Sequence, residues 1–289
     1  MHLDVTTADT SIAADHSLWT AQRIEGLNCD HLRWGTDYAK DLTLSFWIKS
    51  SVPGYYSVVL AIDANGDERY ITTYQVEKKD TWEYKVIHFP GHKSVSIDHA
   101  IDTGLEIKFT WMAGSNRVAD PNAWNTQGNK YGASGVDLAN IFSSTSNNIY
   151  LTGVQLEEGN TATPFQHLSY GEELLLCNRY YWKPHGTHLH LGMWGHGVAD
   201  TSGIRFQSYP WPVQMRTAPS LSYDDNAGNS SRVAVEHPDK TNHTNINVSF
   251  QVTKDGTDGG FKYPYGISGF SNGQAGDLIA YNFQASAEL

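Results

Sequence analysis

The chain has 289 residues, with 20 Lys plus Arg against 31 Asp plus Glu and a formal net charge of −11. Charged residues make up only 18% and aromatics 12%, with 26 Gly. This composition suits strands and tight turns and excludes a helical bundle or coiled coil, which needs long Ala/Glu/Lys/Leu-rich stretches. No apolar run is long enough to span a membrane, Met1-His2-Leu3-Asp4 lacks a basic and apolar signal pattern, and no Lys/Arg cluster offers a nucleic-acid surface. Membrane insertion and nucleic acid are therefore not expected.

In chain order, the first half reads as strands. Leu42, Leu44, Phe46 and Ile48 alternate with Thr43, Ser45, Trp47 and Lys49, the period of two that marks a strand with one apolar face. Tyr56 to Ile62 continues the theme and runs into Asn65-Gly66, a hairpin turn signal. Arg69–Val76, Trp82–Phe89, Leu105–Trp111 and Ile149–Leu156 are further strands. Ser169-Tyr170-Gly171-Glu172 has the form of a capping box. It opens the one convincing helix, which runs through Leu174, Leu175, Leu176 and Cys177 and ends before Pro184. Ile204–Tyr209, Ile246–Val252 and Ile279–Phe283 are strands of the second half. The expected fold is all-β, with β domains at 1–168 and 183–289 joined by a helix at 169–182.

Candidate chemistry is sparse. Asp63, Asn65 and Asp67 have the spacing that opens a calcium loop, but Glu68 stands where that loop needs Gly; a solvated hairpin turn explains the pattern by itself. His185, His188, His190 and His196 fall within twelve residues. His188 and His190 would share one face of a strand, either as a polar stripe or, in a trimer, as six imidazoles around one transition metal. The adjacent pairs Glu157-Glu158, Glu172-Glu173 and Asp224-Asp225 make poor catalytic dyads, because neighbours on a strand point to opposite faces. No nucleophile elbow, His-Glu-x-x-His or phosphate-binding glycine loop is present. No catalytic residue and no obligatory cofactor are expected. Cys29 and Cys177 make no disulfide framework and are expected to be unpaired, with Cys177 buried in the apolar helix.

Longer blocks carry a family resemblance. Thr6–Asp15, Gln22–Gly26 and Leu44–Ser50, then Tyr150–Gly159 with Thr161–Phe165, Tyr170–Leu174 and Cys177–Tyr181, resemble a tail-fibre family of tailed bacteriophages. Met215-Arg216-Thr217-Ala218-Pro219 and Ala287-Glu288-Leu289 resemble its C-terminal half. The resemblance implies a virion protein assembled in the host cytoplasm, with an N-terminal jelly-roll β-sandwich like a carbohydrate-binding module and a C-terminal β-sandwich domain as the receptor-binding tip. It also implies a homotrimer joined to other tail proteins, and a host surface glycan as ligand. The match begins almost at Met1, whereas members carry long attachment portions, so either a cut-down form or a short member with a separate adaptor is expected. The His-x-His pair resembles a metal-binding device of some phage fibre tips.

For a glycan, the ring-bearing loops of the second half are the expected contacts. Trp194, Trp211, Tyr263 and Tyr265 sit beside Gly or Pro, and Asp255, Asp258 and Asn272 lie in neighbouring loops. Rigid loops present aromatic faces at low entropic cost. The acidic net charge points to neutral sugars. The competing class is a tail-spike glycan depolymerase, and a third is a purely structural fibre component or adaptor.

Overall fold

Strand pairing follows the period-two pattern of the sequence. The computed structural model describes residues 1–288 apart from 63–67, 127, 185–187, 191–196, 201–202, 206–210, 226, 237–242, 248–250, 253–260 and 263–274. The chain divides into two compact units, Met1–His167 and Leu168–Glu288, and the protein is all-β, with one α-helix and short 3-10 turns among the described residues.

The first unit contains β1 (His2–Asp4), β2 (Ser17–Glu25), β3 (Leu42–Ser50), β4 (Gly54–Ile62), β5 (Glu68–Val76), β6 (Glu83–Phe89), β7 (Thr103–Ala113), β8 (Val118–Ala119), β9 (Trp124–Asn125), β10 (Gly132–Ala133) and β11 (Asn148–Glu158). Among the eight main strands, the first pairs with the last (β1 with β11), the second with the next to last (β2 with β7), then β3 with β6 and β4 with β5, all antiparallel. This is one long hairpin rolled up on itself, the jelly roll. Rolling yields two sheets, ordered β1-β11-β3-β6 and β2-β7-β4-β5-β9.

The inward residues of both sheets form one core. Leu42, Leu44, Phe46 and Ile48 of β3 are buried together with Tyr56, Val58, Leu60 and Ile62 of β4 and Leu105, Ile107, Phe109 and Trp111 of β7. Phe46 bridges the sheets, meeting Tyr74 at 5.1 Å and Phe109 at 5.0 Å edge-on, the arrangement that aromatic quadrupoles favour.

The second unit starts with α1 (Tyr170–Asn178). Its capping box forms as the sequence indicates: the Glu172 amide donates to the Ser169 hydroxyl and the Ser169 amide to the Glu172 carboxylate at 3.0 Å. No residue of α1 is buried. Leu174, Leu175 and Leu176 are exposed, and so is Cys177. Burial of Cys177 was expected and is corrected. An apolar stretch on consecutive helical positions spreads around the axis, and among the described residues nothing buries it. Both thiols are free, with Cys29 buried.

The strands that follow are β12 (Tyr181–Trp182), β13 (His188–His190), β14 (Gly197–Asp200), β15 (Gly203–Arg205), β16 (Ser220–Asp224), β17 (Arg232–Glu236), β18 (His243–Asn247), β19 (Gln251–Val252), β20 (Phe261–Lys262) and β21 (Ala275–Ser286). β21 is the hub: β12, β13, β14, β16 and β17 all pair with it. Its Ile279, Phe283 and Ala285 are buried with Trp182, Met215 and Tyr223. Three of the family-like blocks converge here. Arg216 donates to the carbonyls of Ala287 and Glu288, each at 2.7 Å. The Arg216 amide reaches the Arg179 carbonyl, and the Ala287 amide the Tyr180 carbonyl.

Candidate functional site

The outer face of the first sheet forms a lattice of side chains, with strands about 4.8 Å apart and same-face neighbours roughly 6.8 Å apart along a strand. Register sets His2, Tyr150 and Lys49 side by side on β1, β11 and β3. The next row is Thr152, Trp47 and Tyr84, then Gln155, Ser45 and Val86, then Glu157, Thr43 and His88. Trp82, two residues ahead of Tyr84, extends the first row beyond Lys49. Trp47, Trp82, Tyr84 and Val86 are 41–44% exposed, although their strands belong to the core sandwich.

The rings hold one another. Trp47 and Tyr84 lie 5.3 Å apart, His2 stacks on Tyr150 at 4.1 Å and 8°, and Trp82 meets Tyr150 at 6.3 Å. The Lys49 ammonium sits between them, 4.3 Å from the Tyr150 centroid and 5.5 Å from that of Trp82. The charge faces ring quadrupoles there, an attraction of roughly 0.5–2 kcal/mol. His2 also pairs with Asp4 at 2.9 Å.

One side of the face is bordered by the chain itself. After β11, residues 160–167 turn back across it. Thr163 donates its amide and hydroxyl to the Glu157 carboxylate, and Gln155 accepts from the Gln166 amide at 2.8 Å. The Thr163 bonds, with help from Gln155, hold the Glu157 carboxyl below its ordinary value. Where this strap meets the rings, β11 carries a bulge between Thr152 and Gln155. Gly153 adopts φ +57° there, and a Cβ on it would stand 3.4 Å from the Trp47 ring and 3.9 Å from Phe165.

The opposite outer face is closed. Ala119, Ala133 and Val136 pack on Val59 and Ile71, and the Ala133 amide donates to Ser57 at 3.0 Å. Beside them Lys108 is paired with Glu106 and lies over Trp19, and Arg69 lies over Tyr131. Of the two outer faces, the one bearing Trp47 is the open aromatic surface.

No family model matches the chain, and no curated protein matches it. Among solved structures the chain is similar to a Family 16 Carbohydrate Binding Module-2, at 14% identity and TM-score 0.25 over 51% of this chain and 74% of that one. It is also similar to the N-terminal CBM22-1–CBM22-2 tandem domain from Paenibacillus barcinonensis Xyn10C, at 10% identity and TM-score 0.24 over 100% and 93%. A third is the PBSX exported protein XepA, at 9% and 0.20 over 99% and 86%. Likeness at these TM-scores carries no argument; the jelly roll rests on the strand pairing.

Most residues expected from sequence to bind sugar, namely Trp194, Tyr263, Tyr265, Asp255, Asp258 and Asn272, lie outside the described residues, as do Asp63, Asn65 and Asp67 of the calcium-like turn. Trp211 is half-buried and meets the buried Trp182 edge-on at 5.6 Å. His188 and His190 stand on β13 opposite Tyr281 and Ile279 of β21; their side chains lie outside the described residues. Among the described residues no cluster of three or more His, Cys, Asp or Glu is placed to hold a metal. Sequence reasoning missed the Trp47 platform, yet its signal was present. Trp47 and Lys49 occupy the alternate positions of β3, and Tyr84 that of β6 with Trp82 just ahead of the strand, opposite the apolar set.

Proposed function

We propose that the protein is a non-enzymatic glycan-binding protein of a phage tail, and that the jelly roll binds sugar on the outer face of its β1-β11-β3-β6 sheet. The observation that carries this is the half-exposed ring set Trp47, Tyr84, Trp82 and Tyr150, fixed by strand register on a rigid sandwich. Planar rings offer apolar faces to the C–H side of a pyranose, and the exposed Thr152 in the same lattice offers a hydrogen bond to a hydroxyl. Aromatic groups that do not rearrange on binding lose little entropy.

Binding without hydrolysis fits the carboxylates at the margins of the face. Asp4 is engaged by His2, and Glu157 by Thr163. By register they lie at opposite ends of β11, several same-face steps apart, much farther than the roughly 5–10 Å that a glycosidase sets between its two carboxyls. The virion role rests on the family-like blocks, whose C-terminal members meet around Arg216.

The test is binding of host cells and of arrayed glycans by the wild type, Trp47→Ala and Tyr84→Ala. Each substitution is expected to weaken binding roughly tenfold, since truncating an anchoring aromatic costs about 1–2 kcal/mol. Release of reducing ends at catalytic rates would overturn the non-enzymatic reading. The parallel comparison of 1–167 with 168–289 separates this face from the loop-borne tip in the second unit: retention of binding by 168–289 alone places the receptor surface there.

A further inference from the structure

We infer that the sugar bound on this face is acidic, with its anionic group set against Lys49. This rests on the reading of the face as a glycan platform and names the class of glycan. Lys49 is on the central strand β3, flanked by Tyr150 on one side and Trp82 on the other, two residues from Trp47 on the same face. The residue is half-buried, and its ammonium lies against the two rings. Among the described residues no carboxylate forms an ion pair with it, and Asp4, on the same outer face, is paired with His2.

A cation partly withdrawn from water and lacking a counter-charge is a site for an anion. The surrounding rings supply the stacking surface for the ring that carries the anion. Lys49 stands one same-face step, roughly 6.8 Å, along β3 from Trp47, so a pyranose lying on Trp47 would turn an equatorial carboxylate or sulfate toward the Lys49 ammonium. The net charge of −11 argues for neutral sugars only through the long-range field. At physiological ionic strength that field is screened beyond about 8 Å, whereas a contact pair in a partly desolvated site is screened far less.

The shared chemistry is an anionic substituent on a pyranose, and matched polymers distinguish its sources. Affinity of the full chain is measured for polygalacturonate against its methyl ester, and for dextran sulfate against dextran, with the wild type, Lys49→Gln, Lys49→Arg and Trp47→Ala. The expected result is preference for at least one acidic member of about tenfold or more, the size of one charge-assisted bond. That preference is abolished in Lys49→Gln, largely kept in Lys49→Arg, and weakened by raised salt. A preference confined to polygalacturonate assigns a carboxylate, and one confined to dextran sulfate a sulfate. Equal binding of acidic and neutral members, unchanged in Lys49→Gln but lost in Trp47→Ala, overturns the inference and leaves the platform standing. Binding untouched by Trp47→Ala overturns the platform as well, and so does the absence of binding to any member. A self-associated form dispersed by Trp47→Ala means that a second copy covers the face, which also overturns the inference.

Discussion

Cys29 and Cys177 show how differently one residue type behaves in the two units. Cys29 is buried beside Leu32 and Trp34, and donates to the Glu25 carbonyl. Burial, with the Asp30 charge adding to it, pushes its thiol up to about 11, so its thiolate is scarce at neutral pH. Cys177 is exposed on α1. A thiol reagent at pH 8 is therefore expected to label one cysteine per chain quickly, and peptide mapping should find it at Cys177. The second equivalent should appear only with denaturant. Rapid labelling of both would contradict the packing around Cys29. A helix rich in Leu looks buried when read alone, because apolar residues usually are; what covers a helix is decided by tertiary packing, which spacing does not encode. Trp47 is the converse case. Its outward position follows from alternation with Phe46 and Ile48, but that Tyr84, Trp82 and Tyr150 share its face depends on pairing β3 with β6 and β11.

At the scale of elements, the strands with clean alternation were legible: β3, β4, β5, β6, β7, β11 and β21 lie where the sequence places them, within a few residues. β1 and β2 were not read as strands. β2, Ser17–Glu25, mixes Arg23 and Gln22 with Trp19 and Ile24, and its outward Trp19 and exposed Arg23 lie against the buried pair Lys108 and Glu106. The bulge in β11 was also invisible, although Gly153 marks it. Gly153→Ala puts a side chain into the left-handed region, at a cost of about 1–2 kcal/mol, against the Trp47 ring. A loss of that size in chemical denaturation, together with altered Trp47 fluorescence, is expected. No change in either would mean that the bulge does not place the ring.

At the scale of the whole molecule, the uncovered leucines of α1 bear on assembly. Leu174, Leu175 and Leu176 form an exposed apolar patch next to Glu172 and Glu173, the kind of surface that another chain covers, and we propose that copies of this chain do so as a homotrimer. Light scattering at micromolar concentration should return three times the 32.1 kDa chain mass, and Leu175→Glu should shift it toward the monomer. A monomeric wild type would refute the trimer without touching the jelly roll, which is closed within Met1–His167.

The nested pairing of that jelly roll also sets an order on its making. His2 finds its partner only in Tyr150, and Leu44 lies between Ile87 and Leu156. As the chain leaves the ribosome, the β4–β5 hairpin can close early, whereas β3 keeps one edge unpaired until β11 arrives. Contacts so distant along the chain make folding slow, and an open strand edge in the interim invites pairing with other nascent chains. Yield in the cell is thus expected to fall as β3 waits longer for β11, a consequence of topology that contacts in the finished protein do not express.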